Sequence, residues 1–299
     1  DTRNPTGSYK DRASWLVAAF AKKWGIKNIT VASTGNAASS MAGIGAAAGL
    51  NVTIFVPENV PKAKLIQSLQ YGARVLLVKG SYDKAFQLSM QYKPEGDSIN
   101  RNTGFNPLTI EGKKTVAFEL CHQLKATPDY SFVPTGDAVV LSGVLKGYKD
   151  LQKLEWIGKL PKIIAVQAEH SDALTRAFEK GDFEEPVDAR TIADSISVDV
   201  PANGYYALRE LKAAGGDCVR VSDEEILEAQ RQLSSTAGLF VEPSSAASLA
   251  GLLKIKEQVP KNATVVLMAT GNGMKDIDSA GKGVKIPTKS IKRLEDIDD

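Results

Sequence analysis

The sequence has few of the residues on which disulfide frameworks and metal sites depend. Its 299 residues include two cysteines and two histidines, and Cys121 and Cys218 lie far apart, without the spacing of metal ligands. A disulfide-rich secreted domain and a Cys/His metal centre are therefore both disfavoured. We expect no bound metal, and the cysteine content is typical of a reduced, cytoplasmic protein.

The sequence also lacks long apolar runs and any large excess of one charge. The net charge is +2, with 24% charged residues that are mixed along the chain, so no basic stripe indicates nucleic-acid binding. No apolar run reaches membrane-spanning length, and no signal peptide is recognisable. We therefore expect neither nucleic acid nor a membrane as a partner. With 43% hydrophobic residues, the chain can bury a large core in one or two domains.

Short apolar runs alternate with amphipathic stretches over most of the chain. The predicted strands are 29–32, 52–56, 74–78, 130–133, 163–167 and 264–268. The predicted helices are 10–24, 36–48, 61–71, 82–92, 110–124, 139–156, 171–179, 205–214, 223–235 and 244–259. This alternation predicts an α/β fold with parallel sheet covered on both faces.

The most informative single segment covers residues 4–12. A Pro-Thr-Gly turn leads to Ser8, a favourable N-cap residue, and apolar residues then recur at helical spacing. Lys10 is therefore expected in the first helical turn, where the positive end of the helix opposes an ammonium group. This environment favours the neutral amine, which can attack a carbonyl carbon. An exposed lysine without a function is the alternative that this segment alone leaves open.

Five segments together resemble one family of enzymes. Residues 4–12 are similar to the cofactor-lysine segment of the pyridoxal-phosphate (PLP) enzymes of the tryptophan synthase β-like group, also called fold type II. Residues 33–36, 134–137, 242–247 and 270–276 resemble the asparagine loop, the phosphate loop and the two C-terminal signatures of that group. Their order along the chain is that of the family. Within the group, the chain is most similar to the threonine synthases.

The resemblance implies a two-domain α/β fold with open parallel sheets. We expect a small domain at residues 28–107, inserted into a larger PLP-binding domain formed by 1–27 and 108–299. The cofactor is then expected at the carboxyl ends of the strands, where open α/β sheets bind ligands. The family also implies a homodimer. Because the chain begins with Asp1 and the candidate lysine comes early, we expect a natural N-terminal segment to be absent.

The expected phosphate loop is Thr135-Gly136-Asp137-Ala138, followed by a helix from Val139. A strand, a tight turn and a helix N-terminus can bind an anion through backbone N–H groups, although an ordinary βα turn with Asp137 as N-cap explains the same residues. The family loop usually reads Gly-Asn-x-Gly-Asn, so the chain departs from it. A carboxylate repels phosphate unless Asp137 turns away to cap the helix. We therefore expect binding through Gly136, the neighbouring N–H groups and the Thr135 hydroxyl.

The resemblance also assigns roles around the cofactor ring. It implies that Asn36 binds the ring hydroxyl, while a simple helix N-cap is the alternative role for this residue. It implies that Ser33, Thr34, Gly35 and Ala37 form the loop for the substrate carboxylate, with Ala37 where the family often has threonine. In the same way, Thr270 is expected to face the pyridine nitrogen, and Glu242 to support the ring.

The implied reaction converts O-phosphohomoserine and water to L-threonine and phosphate, with Lys10 as the cofactor lysine and the proton-transfer group. Gly104 and Thr109 stand where the family commonly has a serine and an arginine for the substrate phosphate. Candidate replacements nearby are Arg101, Lys113 and Lys114. Because of this departure, three alternatives stay open: a serine/threonine ammonia-lyase, a β-replacement synthase and a non-catalytic binding subunit.

Overall fold

The computed structural model describes residues 1–288 and 290–293. Strands and helices alternate along this length. The strands are β1 (Asn28–Ala32), β2 (Asn51–Pro57), β3 (Arg74–Val78), β4 (Ser98–Asn100), β5 (Tyr130–Pro134), β6 (Lys162–Ala168), β7 (Asp217–Val221) and β8 (Val265–Leu267). The helices are α1 (Lys10–Lys23), α2 (Asn36–Ala47), α3 (Lys62–Gln70), α4 (Tyr82–Gln91), α5 (Leu108–Lys113), α6 (Thr115–Leu124), α7 (Val139–Lys153), α8 (Ala173–Lys180), α9 (Gly204–Ala213), α10 (Asp223–Ala237), α11 (Pro243–Lys254) and α12 (Ile277–Gly281).

The described strands form two four-stranded sheets in which every pairing is parallel. The first sheet has the order β3-β2-β1-β4 and the second the order β7-β6-β5-β8. The predicted α/β class with two open parallel sheets is therefore confirmed. All strands of the first sheet fall within residues 28–107, whereas the exact domain boundaries at 27/28 and 107/108 stay a prediction.

The second sheet is buried on both faces, which explains the continuous apolar runs of its central strands. Val133 and Ala165 belong to a core cluster with Leu141 and Leu145 of α7. The neighbouring strand residues, including Phe132, belong to a second cluster that contains residues of α11. Successive side chains of a strand point to opposite faces, so β5 and β6 contribute to both clusters. This packing fixes the carboxyl end of β5, where the predicted phosphate loop begins.

Several predicted boundaries differ from the structure. The helix predicted at 110–124 is two helices, because Ala117 N donates to Lys114 O, only three residues earlier, and the Thr115 hydroxyl donates to the Gly112 carbonyl. Helix α7 stops at Lys153 rather than at 156, since Glu155 adopts a left-handed conformation (φ 59°).

Two strands were not predicted. Strand β4 has three residues, too few for a recognisable alternation, and β7 is an edge strand whose apolar residues are interrupted by Arg220. In both cases the parallel partner, rather than the local pattern, determines that the segment is extended. Among the described helices, none combines the length and the apolar character needed to cross a membrane.

Candidate active site

A cleft opens at the carboxyl end of β5, and most of the predicted cofactor residues line it. The predicted residues in its lining are Lys10, Thr135, Gly136, Asp137, Ala138 and Thr270. The other lining residues are Pro134, Val140, Leu141, Ser195, Ile196 and Ser244. Residues more than 250 positions apart in sequence are thus brought to one place. Val139 is buried at the start of α7 and is not part of the lining.

Lys10 is the first residue of α1, and the segment before it is bonded to the segment around Thr270. Tyr9 N donates to Thr270 O at 2.7 Å, and Asn272 N donates to Gly7 O at 2.9 Å. The prediction of Ser8 as N-cap is wrong: Tyr9 is the N-cap, and no side chain caps the helix. Ser8 instead forms an extended bridge with Gly271. This bridge holds the lysine beside the end of the second sheet.

The predicted phosphate loop has the geometry of an anion site made of backbone. The N–H groups of Gly136, Asp137 and Ala138 donate no hydrogen bond to any described residue. Ala138 is in the left-handed conformation, with φ 63°, and such turns direct successive N–H groups towards one point. A Cβ at Gly136 would lie 2.7 Å from the Ile196 Cα, so only glycine fits there.

The side chains of this loop are directed away from the free N–H groups. The Asp137 carboxylate accepts the Val139 N–H at 3.0 Å, although Ala138 rather than Asp137 is the N-cap residue of α7. The Thr135 hydroxyl donates to the Val133 carbonyl at 2.8 Å, and its hydrogen is therefore not available to an anion in the loop. Binding of phosphate here would rest mainly on backbone.

Asn36 is not part of the cleft lining, and its side chain is bonded to a buried carboxylate. Its side-chain amide donates to both oxygens of Glu242, at 2.9 and 3.2 Å, and lies 3.4 Å from the Ser195 hydroxyl. The alternative reading of Asn36 as N-cap is wrong, because Gly35 is the N-cap of α2 and no side chain caps it. Burial raises the pKa of Glu242, while the Asn36 amide and the Lys10 charge oppose that rise.

Thr270 is held by Ser245 at the start of α11. The two hydroxyl oxygens are 3.0 Å apart, and the Ser245 oxygen also accepts the N–H groups of Thr270 and Gly271, at 3.0 and 2.7 Å. The signature that contains Glu242 and Ser245 therefore fixes two groups of the site, the Asn36 amide and the Thr270 hydroxyl. Sequence reasoning gave this signature only a supporting role.

The predicted carboxylate loop lies at the carboxyl end of β1, and its residues are not part of the cleft lining. The Gly35 N–H donates to the Ser33 hydroxyl at 3.2 Å, and Thr34, Gly35 and Ser33 are partly exposed, whereas Ala37 is buried in α2. Asn36 is the link between this loop and the cleft. Backbone donors at a helix start remain available to a carboxylate from this direction.

The positions that the family uses for the substrate phosphate offer no donor in this chain. Gly104 has no side chain, and the buried Thr109 hydroxyl donates to the Asn106 carbonyl at 2.7 Å. Of the candidate replacements, Lys114 forms ion pairs with Glu111 and Asp150, each at 2.7 Å. Arg101 and Lys113 are fully buried.

Sequence reasoning missed the wall formed by Ser195 and Ile196. A short 3-10 turn at Asp194–Ile196 carries them, and Ser195 N donates to the Ser244 hydroxyl at 3.1 Å. No motif or periodicity marks residues 190–200, so no local signal was available. Their place in the site depends on the packing of this loop against α11.

The fold and the cleft define an α/β enzyme site in which a lysine amine faces a backbone anion-binding turn. Residues 1–271 match the family model described as pyridoxal-phosphate dependent enzyme, and the chain belongs to that family. The predicted resemblance is therefore confirmed. The residues present fit this cofactor: Lys10 provides an amine for its aldehyde carbon, the three free N–H groups suit its phosphate, and Thr270 lines the same cleft.

Within this family, the chain is similar to several proteins with assigned functions. The chain is 38% identical to a threonine synthase of Methanocaldococcus jannaschii, over 96% of this chain and 72% of the relative. It is 39% identical to a threonine synthase of Halalkalibacterium halodurans, over 93% of this chain and 77% of the relative. The structure of the processed form of threonine deaminase isoform 2 from Solanum lycopersicum shares the fold, with a TM-score of 0.80 at 22% identity, covering 95% of this chain and 80% of that one.

Proposed function

We propose that the protein is a PLP-dependent lyase that converts O-phosphohomoserine and water to L-threonine and phosphate. Support comes from relatives at 36–39% identity that are threonine synthases and from the cleft itself. The observation that carries the proposal is that Lys10, the free N–H groups of the loop after β5 and the Thr270 hydroxyl line one cleft.

Each part of the cleft has a task in this reaction. The N–H groups of Gly136, Asp137 and Ala138 would hold the cofactor phosphate, and Asn36 would be released from Glu242 to bind the ring hydroxyl. PLP supplies an electron sink for negative charge that develops at the substrate Cα. Thr270 is neutral, so it does not enforce a protonated ring as a carboxylate would, and this tempered sink suits elimination and replacement. The Lys10 amine would remove the Cα proton of the substrate and return protons later.

A second candidate function follows from the missing donors at Gly104 and Thr109. A serine/threonine ammonia-lyase eliminates water from an unphosphorylated hydroxy amino acid and needs no site for a substrate phosphate. The two functions differ in the group that leaves the substrate and in the products. Measuring products is therefore more decisive than measuring affinity.

The test is a substrate panel with the purified, PLP-loaded enzyme. Equal amounts of phosphate and L-threonine from O-phosphohomoserine support the proposal. Ammonia and 2-oxobutyrate from L-threonine, without turnover of O-phosphohomoserine, would favour the ammonia-lyase. A β-replacement synthase would turn over only with an added nucleophile. A protein that takes up PLP but processes none of these substrates would be a binding subunit.

Two finer expectations from the resemblance belong with this proposal, namely a cytoplasmic location and a homodimeric assembly. Light scattering of the purified protein would test the assembly, and a mass of twice 32.0 kDa is expected.

A further inference from the structure

Two basic side chains, Arg101 and Lys113, are buried without adequate partners; they are not part of the cleft lining, but both interact electrostatically with Asp137, which is. Arg101 and Lys113 have no exposed surface. Arg101 Nη1 donates to the Thr103 hydroxyl at 2.6 Å. Within the described part of the chain, Arg101 Nε, Arg101 Nη2 and Lys113 Nζ have no hydrogen-bond partner. Buried polar groups are almost always bonded, so donors of this kind need a partner such as a bound water, ion or ligand.

The charges around these groups do not compensate for their burial. Burial lowers the pKa of Arg101 to about 10 and lowers the pKa of Lys113 well below its ordinary value. Asp137 opposes the shift at both residues, but Lys10 and Arg101 add to it at Lys113. The carboxylate of Asp137 is already bonded to the Val139 N–H. A dianion that entered here would favour the charged forms of both residues and so oppose the effect of burial.

Both cations are fixed by the segments that surround Lys10. Arg101 follows β4, and its N–H donates to the Thr30 carbonyl at 2.8 Å; the next residue, Asn102, accepts the Ala32 N–H at 2.6 Å. Arg101 is therefore anchored beside the strand that leads into the loop at residues 33–36.

Lys113 is anchored from the opposite side of the site. Lys113 is the last residue of α5. It packs so closely on α7 that a Cβ added at Gly143 would lie 2.6 Å from the Lys113 Cβ. Its carbonyl accepts the Tyr9 hydroxyl at 2.6 Å, one residue before Lys10. Arg101 is thus held by the first sheet, and Lys113 by α7, the helix that follows the predicted phosphate loop.

We propose that Arg101 and Lys113 form a cationic pocket that binds the phosphate group of the phosphorylated amino-acid substrate. This inference rests on the proposed function. In it, Arg101 and Lys113 take the place of the serine and arginine that the family has at positions 104 and 109, where this chain has Gly104 and Thr109. The free N–H groups of residues 136–138 would hold the cofactor phosphate, so the pocket is assigned to the second phosphate. Lys114 is excluded because its ammonium is paired with Glu111 and Asp150.

The chemistry of the pair suits a leaving phosphate. The two unused Arg101 nitrogens and the Lys113 ammonium can donate charge-assisted hydrogen bonds to separate phosphate oxygens. Transfer of the Cβ proton to Lys10 leaves the electron pair for a new Cβ–Cγ double bond, the Cγ–O bond breaks with both its electrons going to the phosphate oxygen, and the added negative charge falls beside these donors. An unphosphorylated hydroxy amino acid would leave both cations unpartnered, so the pocket also selects the substrate.

The experiment compares the wild-type holoenzyme with Lys113→Met, which removes the ammonium but keeps most of the side-chain volume. Lys114→Met is the matched control, since it changes the next residue of the chain. Calorimetry gives the Kd of inorganic phosphate, kinetics give the KM of O-phosphohomoserine, and an absorbance titration gives the Kd of PLP. We expect Lys113→Met to raise the Kd of inorganic phosphate and the KM of O-phosphohomoserine about 10- to 100-fold and to leave the PLP Kd unchanged. Lys114→Met should change none of them.

A thermal measurement separates this role from a purely structural one. Without phosphate, Lys113→Met should melt at a higher temperature than the wild type, because a buried amine without a hydrogen-bond partner is removed. Inorganic phosphate should raise the melting temperature of the wild type but not of the variant. Lys113→Arg keeps the positive charge and should keep the phosphate affinity. If Lys113→Met does not fold, Arg101→Met takes its place in every measurement.

The outcomes separate this inference from the proposed function. If the wild type produces threonine and Lys113→Met binds phosphate and substrate as the wild type does, the pocket is refuted and the function stands. A rise in the PLP Kd instead would assign the pair to the cofactor and overturn the proposal. If Lys113→Met loses phosphate binding but the wild type does not use O-phosphohomoserine, the anion pocket stands and the proposed function fails.

Discussion

Two groups of charged side chains around α5 show opposite ways of using charge. The paired cluster consists of Glu111, Lys114, Lys146 and Asp150, which form four ion pairs between 2.7 and 3.1 Å and are partly exposed. The cationic pocket consists of Arg101 and Lys113, which are fully buried and leave three donor atoms unused among the described residues. Lys113 and Lys114 are adjacent in sequence and belong to different groups.

The difference indicates which charges serve the fold and which serve a ligand. Charged groups near the surface that pair with one another contribute little to stability. A buried cation without a partner destabilises the folded protein, so its presence needs a reason outside the fold. Glu242 is the intermediate case: it is buried, but Asn36 donates to both of its oxygens. A cofactor that binds the Asn36 amide would have to compensate for the loss of these hydrogen bonds to Glu242.

The largest expected effect concerns Lys10, the cation that lines the cleft itself. Lys10→Ala should lower turnover by at least about 10²-fold, since general acid–base transfer alone contributes roughly 10²–10⁴-fold. Lys114→Ala, in the paired cluster, should keep near wild-type turnover. Steady-state assays with equal amounts of folded protein check both, and a Lys10→Ala variant that remained active would end the assignment of this residue.

The second prediction tests the bond that holds the buried carboxylate. Asn36→Ala removes the amide nitrogen that donates to both oxygens of Glu242 and should lower the free energy of unfolding by about 1–3 kcal/mol. Adding Glu242→Gln should recover part of that loss, because no buried charge then remains. Urea unfolding gives both values. Asn51→Ala, which removes an exposed amide bond to Asn28, is the control and should change stability by less than about 0.5 kcal/mol.

A smaller effect is expected in the paired cluster. Asp150→Asn weakens the pairs to Lys114 and Lys146 and should lower the free energy of unfolding by about 0.2–1 kcal/mol, less at high salt. Turnover should be unchanged, in contrast to Lys113→Met in the cationic pocket. A large loss of turnover in Asp150→Asn with no change in stability would contradict the assignment of the paired cluster to the fold and of the cationic pocket to a ligand.

The smallest effect is the pH dependence of this cluster. Burial alone would raise the pKa values of Glu111 and Asp150, but hydrogen bonds from Lys114 and Lys146 lower them below the ordinary 4.5 and 3.8. A carboxyl group whose pKa is lower in the folded than in the unfolded state stabilises the folded state when the pH is above the unfolded-state pKa. This stabilisation is lost as the pH falls through the folded-state pKa. The stability difference between wild type and Asp150→Asn should therefore be constant above about pH 5 and shrink in acid. Urea titrations from pH 3 to 7 would detect a difference that instead grows in acid.

Sequence alone predicted the part of the site that depends on local chain geometry. A lysine at a helix start, a turn between β5 and α7 and a threonine after β8 are each recognisable from a few neighbouring residues, and all three line the cleft. The sequence also named Arg101, Lys113 and Lys114 as candidates for a phosphate. It could not separate them, because burial and pairing depend on how α5 packs against α1 and α7.

The features that sequence reasoning missed are set by distant contacts. Ser8 is a good N-cap by type, yet its pairing with Gly271 places the helix start at the next residues. Asn36 looks like a helix cap but bonds to a carboxylate 206 positions away. Residues 195 and 196 have no local signal at all. In each case a partner far along the chain outweighs the local preference.

The central claim is that Lys10 carries the cofactor covalently, and borohydride reduction of the PLP-loaded protein followed by peptide mapping tests it most directly. Reduction makes a covalent link between an amine and the cofactor permanent, so the modified peptide identifies the residue. The account predicts a single pyridoxyl group on Lys10, with none on Lys113 or Lys114. A label on either of those lysines, or no label on a protein that has taken up PLP, would contradict it.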